Sequence, residues 1–153
     1  MAYQHILLAV DDSPISYAAL EHAEKIALAF NCKITVMSVI AVDPFKGVDF
    51  YKIAPAVTQY LFEAEKNALA RLKDIQETLV HHGVTTVDTK VVREVPPATG
   101  ILDVADELNV DLIVMGSHGR TGLKKFFLGS VAQEVLSISP LPVLIIKSTQ
   151  EEA

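Results

Sequence analysis

Five apolar runs limit what this chain can fold into: Ile6 to Val10, Ile34 to Ala41, Val87 to Val92, Leu112 to Met115 and Val143 to Lys147. Segments of helical periodicity separate them, so the sequence predicts five strands alternating with four helices. The first, fourth and fifth runs are almost continuously apolar. An antiparallel sheet with one wet face would alternate polar and apolar positions, whereas parallel strands covered on both faces need not. The expected architecture is an α/β, three-layer doubly wound sandwich around a parallel sheet.

The helix signals agree. Ser13-Pro14 reads as an N-cap followed by proline in the first helical position, after which Ala19, Ala23, Ile26, Ala27 and Phe30 share a face and Asn31 closes the helix. A second stripe runs through Leu61, Ala68, Leu72, Ile75 and Leu79 and stops near Gly83, with Glu63, Glu65, Lys66, Arg71, Lys73 and Glu77 on its wet side. Pro96-Pro97 precedes a third helix carrying Ile101, Leu102, Ala105 and Leu108, which Asn109 can close. Gly100 falls near the start of that helix, where a better helix former is expected. Asp43 to Pro55 holds two prolines, a glycine and three aromatics and reads as a loop at the carboxyl end of a strand, either packed locally or serving as a lid or partner surface.

At 153 residues, half of them hydrophobic, residues 1–153 form one domain, able to bury about 70% of its unfolded-chain surface. The net charge of −6, with 13 basic residues scattered along the chain, argues against nucleic acid and anionic membrane as partners. No apolar stretch approaches the roughly 18 residues of a membrane span, so no membrane insertion is expected. The amino terminus lacks the pattern of a signal peptide, and Cys32 is the sole cysteine, which suits a reducing compartment; the expected location is cytoplasmic. Cys32 itself reads as a small buried residue.

Function is written between Met115 and Val131. Gly116 and Gly119 stand three apart, and nine residues later Gly129 precedes the hydroxyl of Ser130, where a helix is expected to begin. Glycines after a strand let backbone approach a ligand, and the N–H groups opening a helix favour anions, so the pattern describes a phosphate cradle. It is not the dinucleotide fingerprint, whose glycines are spaced G-x-G-x-x-G, and Leu128-Gly129 stands where a Walker A loop needs its lysine. A tight turn would explain Gly116 and Gly119 but not Gly129-Ser130 at that distance. His118 has no second histidine or cysteine at ligand spacing, so no metal site is expected there. His81-His82 at a helix end reads as a complement to the helix dipole, and Lys124 and Lys125 either attract phosphate or are simply solvated.

Glycine, two residues, glycine, nine residues, then glycine and serine resembles the ATP-binding motif of the universal stress protein A family. His5 to Asp11 is similar to that family's opening strand with its terminal aspartate, Asp111 to Gly116 to its fourth strand, and Ser139 to Ile146 to its closing segment. The resemblance implies an adenine nucleotide α-hydrolase-like, Rossmann-like sheet of order 3-2-1-4-5, with the ligand where the strand order reverses. It implies ATP with magnesium as the ligand of a regulatory protein of the stress response. Asp11, beside Ala9 and Val10, would meet the ribose, and Val39 the adenine edge. Met115 and Gly116 would flank the sugar; His118, Gly119 and Arg120 would approach the phosphates; Gly129, Ser130 and Val131 would supply N–H groups and a hydroxyl. It further implies a homodimer through the edge strand Val143 to Lys147, and protein clients.

The family commonly has glycine near the end of its third strand, and Arg93-Glu94-Val95-Pro96-Pro97 contains none. A receiver domain, suggested by Asp11-Asp12, would need a phosphoacceptor aspartate where Gly116 stands. An adenylating enzyme of the wider group would need a serine- and glycine-rich loop where Asp11-Asp12-Ser13-Pro14 stands. No nucleophile with a base and no paired carboxylate appears elsewhere, so the expectation is a binding protein without a catalytic residue. The alternatives are a dimeric interaction module that binds no nucleotide and a very slow ATPase or self-phosphorylating protein.

Overall fold

The structure is a computed structural model that describes residues 3–40, 55–118 and 128–147. Expectations for the Asp43 to Pro55 loop, apart from Pro55, and for Gly119, Arg120, Lys124 and Lys125 lie outside the described residues, as does the side chain of Leu61.

The elements run β1 (His5–Ala9), α1 (Ile15–Phe30), β2 (Lys33–Ile40), α2 (Pro55–His81), β3 (Val87–Arg93), α3 (Pro97–Glu107), β4 (Leu112–Gly116), α4 (Ser130–Ile138) and β5 (Val143–Ile146). All strand pairs are parallel and the order is β3-β2-β1-β4-β5, as the resemblance implied. The continuous apolar runs have a direct physical cause. Ile6 and Leu8 of β1 pack into a core with Ala19 and Ala23 of α1 and Leu72, Ile75 and Leu79 of α2. Leu7, between them, points to the other face, where Ile101 and Val104 of α3 and Val135 of α4 cover it. With helices on both faces, neither side of the central strands meets water.

Helix ends follow local rules in most places. Asn31 takes the left-handed conformation at φ 54°, and Cys32 N–H donates to the Ala27 carbonyl at 3.0 Å. Asn109 does the same after α3 at φ 53°, and Gly83, at φ 107°, turns the chain after α2. Two expectations are corrected and one is extended. Ser13 does not cap α1: no side chain bonds at that position, and the hydroxyl turns back to the Asp11 carboxylate. Phe30 is not part of the buried face but 44% exposed, stacked edge-on with Tyr3 at 5.6 Å, while Leu20 takes a core position. His82 does more than face a helix dipole, since its Nδ1 lies 3.0 Å from Glu24 and ties the end of α2 to α1.

Gly100 has a packing reason. A Cβ there would lie 3.0 Å from Val39 Cγ2 and 3.1 Å from Val95 Cγ2, so the missing side chain lets α3 sit close on β2. The absent glycine at the end of β3 also leaves a trace: Glu94 adopts φ 60°, a left-handed conformation uncommon for a residue with a side chain. Cys32 is buried, and burial pushes its thiol pKa up, the direction opposite to a reactive thiolate.

Candidate functional site

β1 and β4 are neighbours, with Ala9 opposite Met115, although their helices leave the sheet in different directions. This reversal opens a crevice at the carboxyl ends of the two strands, the usual ligand position in such sheets. β1 ends at Ala9 opposite Met37, whereas β2 continues to Ile40. Val39 thus projects past the end of its neighbour, on the rim of the same crevice.

Asp11 follows β1 by two residues and is half-buried. Its Oδ1 accepts from Ser13 N at 2.9 Å, from the Ser13 hydroxyl, and from the Ser16 hydroxyl at 3.0 Å. No donor among the described residues meets Oδ2. On the other side of the crevice, Ser117 follows β4 and is held on both sides by backbone. Its N–H donates to Ile146 of β5 at 2.8 Å, and its carbonyl accepts from Gly129 N–H at 2.7 Å. The Ser117 hydroxyl lies 3.1 Å from His118 Nδ1, which anchors the ring of that half-buried histidine.

The bond from Gly129 to Ser117 brings the start of α4 against the end of β4. It also uses the Gly129 N–H, the group expected from the sequence to face phosphate. A Cβ on Gly129 would meet His118 Cα at 3.0 Å and Ser117 O at 3.2 Å, which makes the glycine a condition for this close approach. Gly116 is similar: a Cβ there would lie 2.6 Å from Ile15 Cγ2 at the start of α1. Both glycines let chain segments meet at the crevice. Ser130 and Val131 open α4, whose leading N–H groups, as at any helix start, have no partner within the helix and meet no side-chain cap among the described residues. Among the described residues, no group of three or more His, Cys, Asp or Glu side chains could hold a metal ion.

Residues 2–147 match the model of the universal stress protein family, across nearly the whole chain. The chain belongs to this family. Universal stress protein MJ0531 of Methanocaldococcus jannaschii is 34% identical over 150 residues, covering 98% of this chain and 85% of that protein. The solved structure of the universal stress protein UspA from Lactobacillus plantarum is 25% identical with a TM-score of 0.77, covering 96% of this chain and 99% of that one. A universal stress protein solved in complex with cAMP is 26% identical with a TM-score of 0.68, covering 97% of this chain and all of that one (100%).

Within this family member, the structure brings Ala9, Val10, Asp11, Val39, Met115, Gly116, His118, Gly129, Ser130 and Val131 to one end of the sheet. Gly119 and Arg120 lie outside the described residues. Sequence reasoning missed Ser16 and Ile15. The signal for Ser16 was the spacing Asp11, Ser13, Ser16, which places two hydroxyls within reach of one carboxylate across a strand-to-helix turn. Ile15 carried no such signal, because its partner Gly116 is far away in sequence.

Proposed function

We propose that this universal stress protein is a regulatory protein that binds ATP, with magnesium shared among the phosphate oxygens and water, at the carboxyl rim of β1 and β4. The observation that carries the reading is the placing, at one end of β1 and β4, of an Asp11 oxygen that meets no donor and a helix start that meets no side-chain cap among the described residues. A carboxylate accepts hydroxyl donors, and helix-opening N–H groups donate to phosphate oxygens, so the two ends complement the two ends of a nucleotide. The related protein solved with cAMP supports an adenine nucleotide as the ligand class. In this reading Asp11, beside Ala9 and Val10, faces the ribose, Val39 the adenine, and Met115 and Gly116 the sugar. His118, Gly119 and Arg120 approach the phosphates with Ser130 and Val131. Gly129 shapes the cradle without donating to it.

Calorimetry with ATP and magnesium tests the proposal. Ser130→Ala is expected to lose about 1 to 3 kcal/mol if its hydroxyl meets a charged oxygen. Gly129→Val is expected to abolish binding, because its side chain would drive α4 away from His118. Failure of the wild type to bind any adenine nucleotide at millimolar concentration would overturn the reading. A second reading, an interaction module without nucleotide, is favoured by one observation: Gly116 and Gly129 already have packing roles against Ile15 and His118. The same titration decides between them. Among the described residues none is a convincing general base, so any ATP turnover is expected to fall far below the roughly 10 s⁻¹ typical of enzymes.

The protein is further proposed to be a cytoplasmic homodimer pairing through β5, with protein clients reading its bound and empty states. β5 is a sheet edge, and its Val143, Leu144 and Ile145 are only half-buried in the single chain. Ile145→Lys should shift a dimer toward monomer in sedimentation; a wild type that sediments as a monomer at micromolar concentration would count against pairing. No helix among the described residues is long and apolar enough to cross a membrane.

A further inference from the structure

β3 is the edge of the sheet opposite β5. Ile34 N–H donates to the Thr86 carbonyl, so in the parallel register Asp88, Lys90 and Val92 turn their backbone groups to β2, while Val87, Thr89 and Val91 turn theirs outward. The outward Val87 carbonyl accepts from the Gln76 amide of α2 at 2.7 Å. The outward groups of Thr89 and Val91 meet no partner among the described residues. Asp88 and Lys90 share one face of the strand, where they pair with Lys33 and Glu107, each at 2.8 Å; Val87 and Val91 share the other. α2 runs antiparallel to β3 along this edge, with Glu65 bonded to Arg93 at one end and Gln76 to Val87 at the other. Phe62, Leu69 and Val80, 64%, 49% and 52% exposed, follow one another at seven and eleven residues, close to two and three whole turns, and so form one stripe. Leu69 stands four residues from Glu65 and Val80 four from Gln76, which puts the stripe on the side of α2 that overhangs the edge.

We propose that β3 pairs antiparallel with β3 of a second copy of this chain across a two-fold axis at Thr89, a contact separate from the one at β5. Charge complementarity identifies the occupant. In that register Asp88 of each copy lies opposite Lys90 of the other, Val87 lies opposite Val91, and the two Thr89 residues exchange N–H to carbonyl bonds. Sliding the strands by two residues sets Lys90 against Lys90 or Asp88 against Asp88, so the charges admit one register. The helices fit the same axis. α2 packs over β2 and β3 alike, so the two copies of α2 come to lie two strand spacings apart, about 10 Å, the distance of packed helices. Thr89 is near the middle of the span from Val87 to Arg93, as Arg71 is near the middle of that from Gln76 to Glu65. The axis is therefore level with Arg71, midway between Phe62 and Val80, and sets Phe62 of each copy against Val80 of the other. Backbone, charge and apolar stripe all select one isologous contact.

Cross-linking of the full chain tests the contact directly. Directly opposed, hydrogen-bonded residues have Cα atoms about 5.5 Å apart, within disulfide reach, and the native Cys32 is buried. Under a mild oxidant Thr89→Cys should give a disulfide-linked dimer, whereas Thr85→Cys, exposed but off the axis, should not. Equal linking of the two, or none at Thr89, overturns the proposal. Loss of pairing at β5 leaves this result unchanged, so the two contacts fail separately. Sedimentation tests the charges, with Ile145→Lys present throughout so that β5 does not contribute. Lys90→Asp should weaken dimerisation about tenfold or more, and combining it with Asp88→Lys should restore it, because the cross-strand pairs re-form with their signs exchanged. Both variants lose the pairs with Lys33 and Glu107 or place like charges there, so a purely structural role would leave the double variant no better than the single one. That outcome also overturns the proposal.

Discussion

Asp111 stands just before β4 and Asp11 just after β1, at opposite ends of the paired central strands, and their carboxylates are used differently. Asp111 Oδ2 accepts from Gln4 N–H at 2.9 Å and Oδ1 from His5 N–H at 3.0 Å, while its own N–H returns to the His5 carbonyl at 3.0 Å. Both of its oxygens are committed to joining β1 to β4. Asp11, among the described residues, takes all its donors on one oxygen and none on the other. The first arrangement is closed and structural, whereas the second can still accept a ligand. The two ends of the paired strands differ accordingly: at one the carboxylate joins β1 to β4, and at the other it stands beside the point where the strand order reverses.

The same substitution should separate the two sites. Asp111→Asn places an amide donor against a backbone donor whichever way the side chain turns, and is expected to cost about 2 to 3 kcal/mol in urea denaturation. A loss below about 0.5 kcal/mol would mean that water replaces those bonds and that Asp111 is not a structural clamp. Gly116→Ala comes next, at about 1 to 3 kcal/mol, because its Cβ would have to displace Ile15 from 2.6 Å. A neutral result there would show that α1 can retreat freely from the crevice. Asp11→Asn should cost less than about 1 kcal/mol in stability, since its carbonyl can keep the serine bonds. It should nevertheless weaken ATP binding about tenfold in calorimetry. If it destabilised the fold as much as Asp111→Asn, the contrast between the two aspartates would collapse.

The smallest effect concerns pH at the closed end. Burial first, and the nearby Lys33 charge second, hold the His5 imidazole below its usual 6.5, while its Nε2 lies 2.7 Å from the Thr35 hydroxyl. The unfolded chain therefore takes up the proton more readily than the folded one. The stability this group contributes is present above about pH 6.5 and is lost as pH falls through its folded value. Urea midpoints measured on either side of that window should fall on acidification, and His5→Gln should flatten the trend. An equal fall in the variant would assign the trend to other groups.

Most strand boundaries were legible to within one residue, because β1 and β4 are short runs with no polar interruption and the helices between them carry clear stripes. Asn31, Asn109 and Gly83 were legible as helix ends for a local reason, their tolerance of positive φ. Ser13 was misread because capping and carboxylate binding present the same local sequence, and only the path of the chain shows whether the hydroxyl accepts from a helix N–H or donates to the carboxylate. Gly100 looked like a poor helix residue until Val39 and Val95 were found against it. The candidate site was legible as a set of residues, but not in the division of labour between them: Gly129 is a contact point, and its N–H is already used by Ser117.

The sequence by itself determined the layer architecture and the family, because hydrophobic period, helix-end chemistry and motif spacing are local properties. Tertiary structure alone decided that Gly116 sits against Ile15, that Gly129 sits against His118, and that both Asp111 oxygens are committed while Asp11 Oδ2 meets no donor among the described residues. Those outcomes depend on distances between segments far apart in the chain, set by how helices pack on a sheet, and no local pattern encodes them.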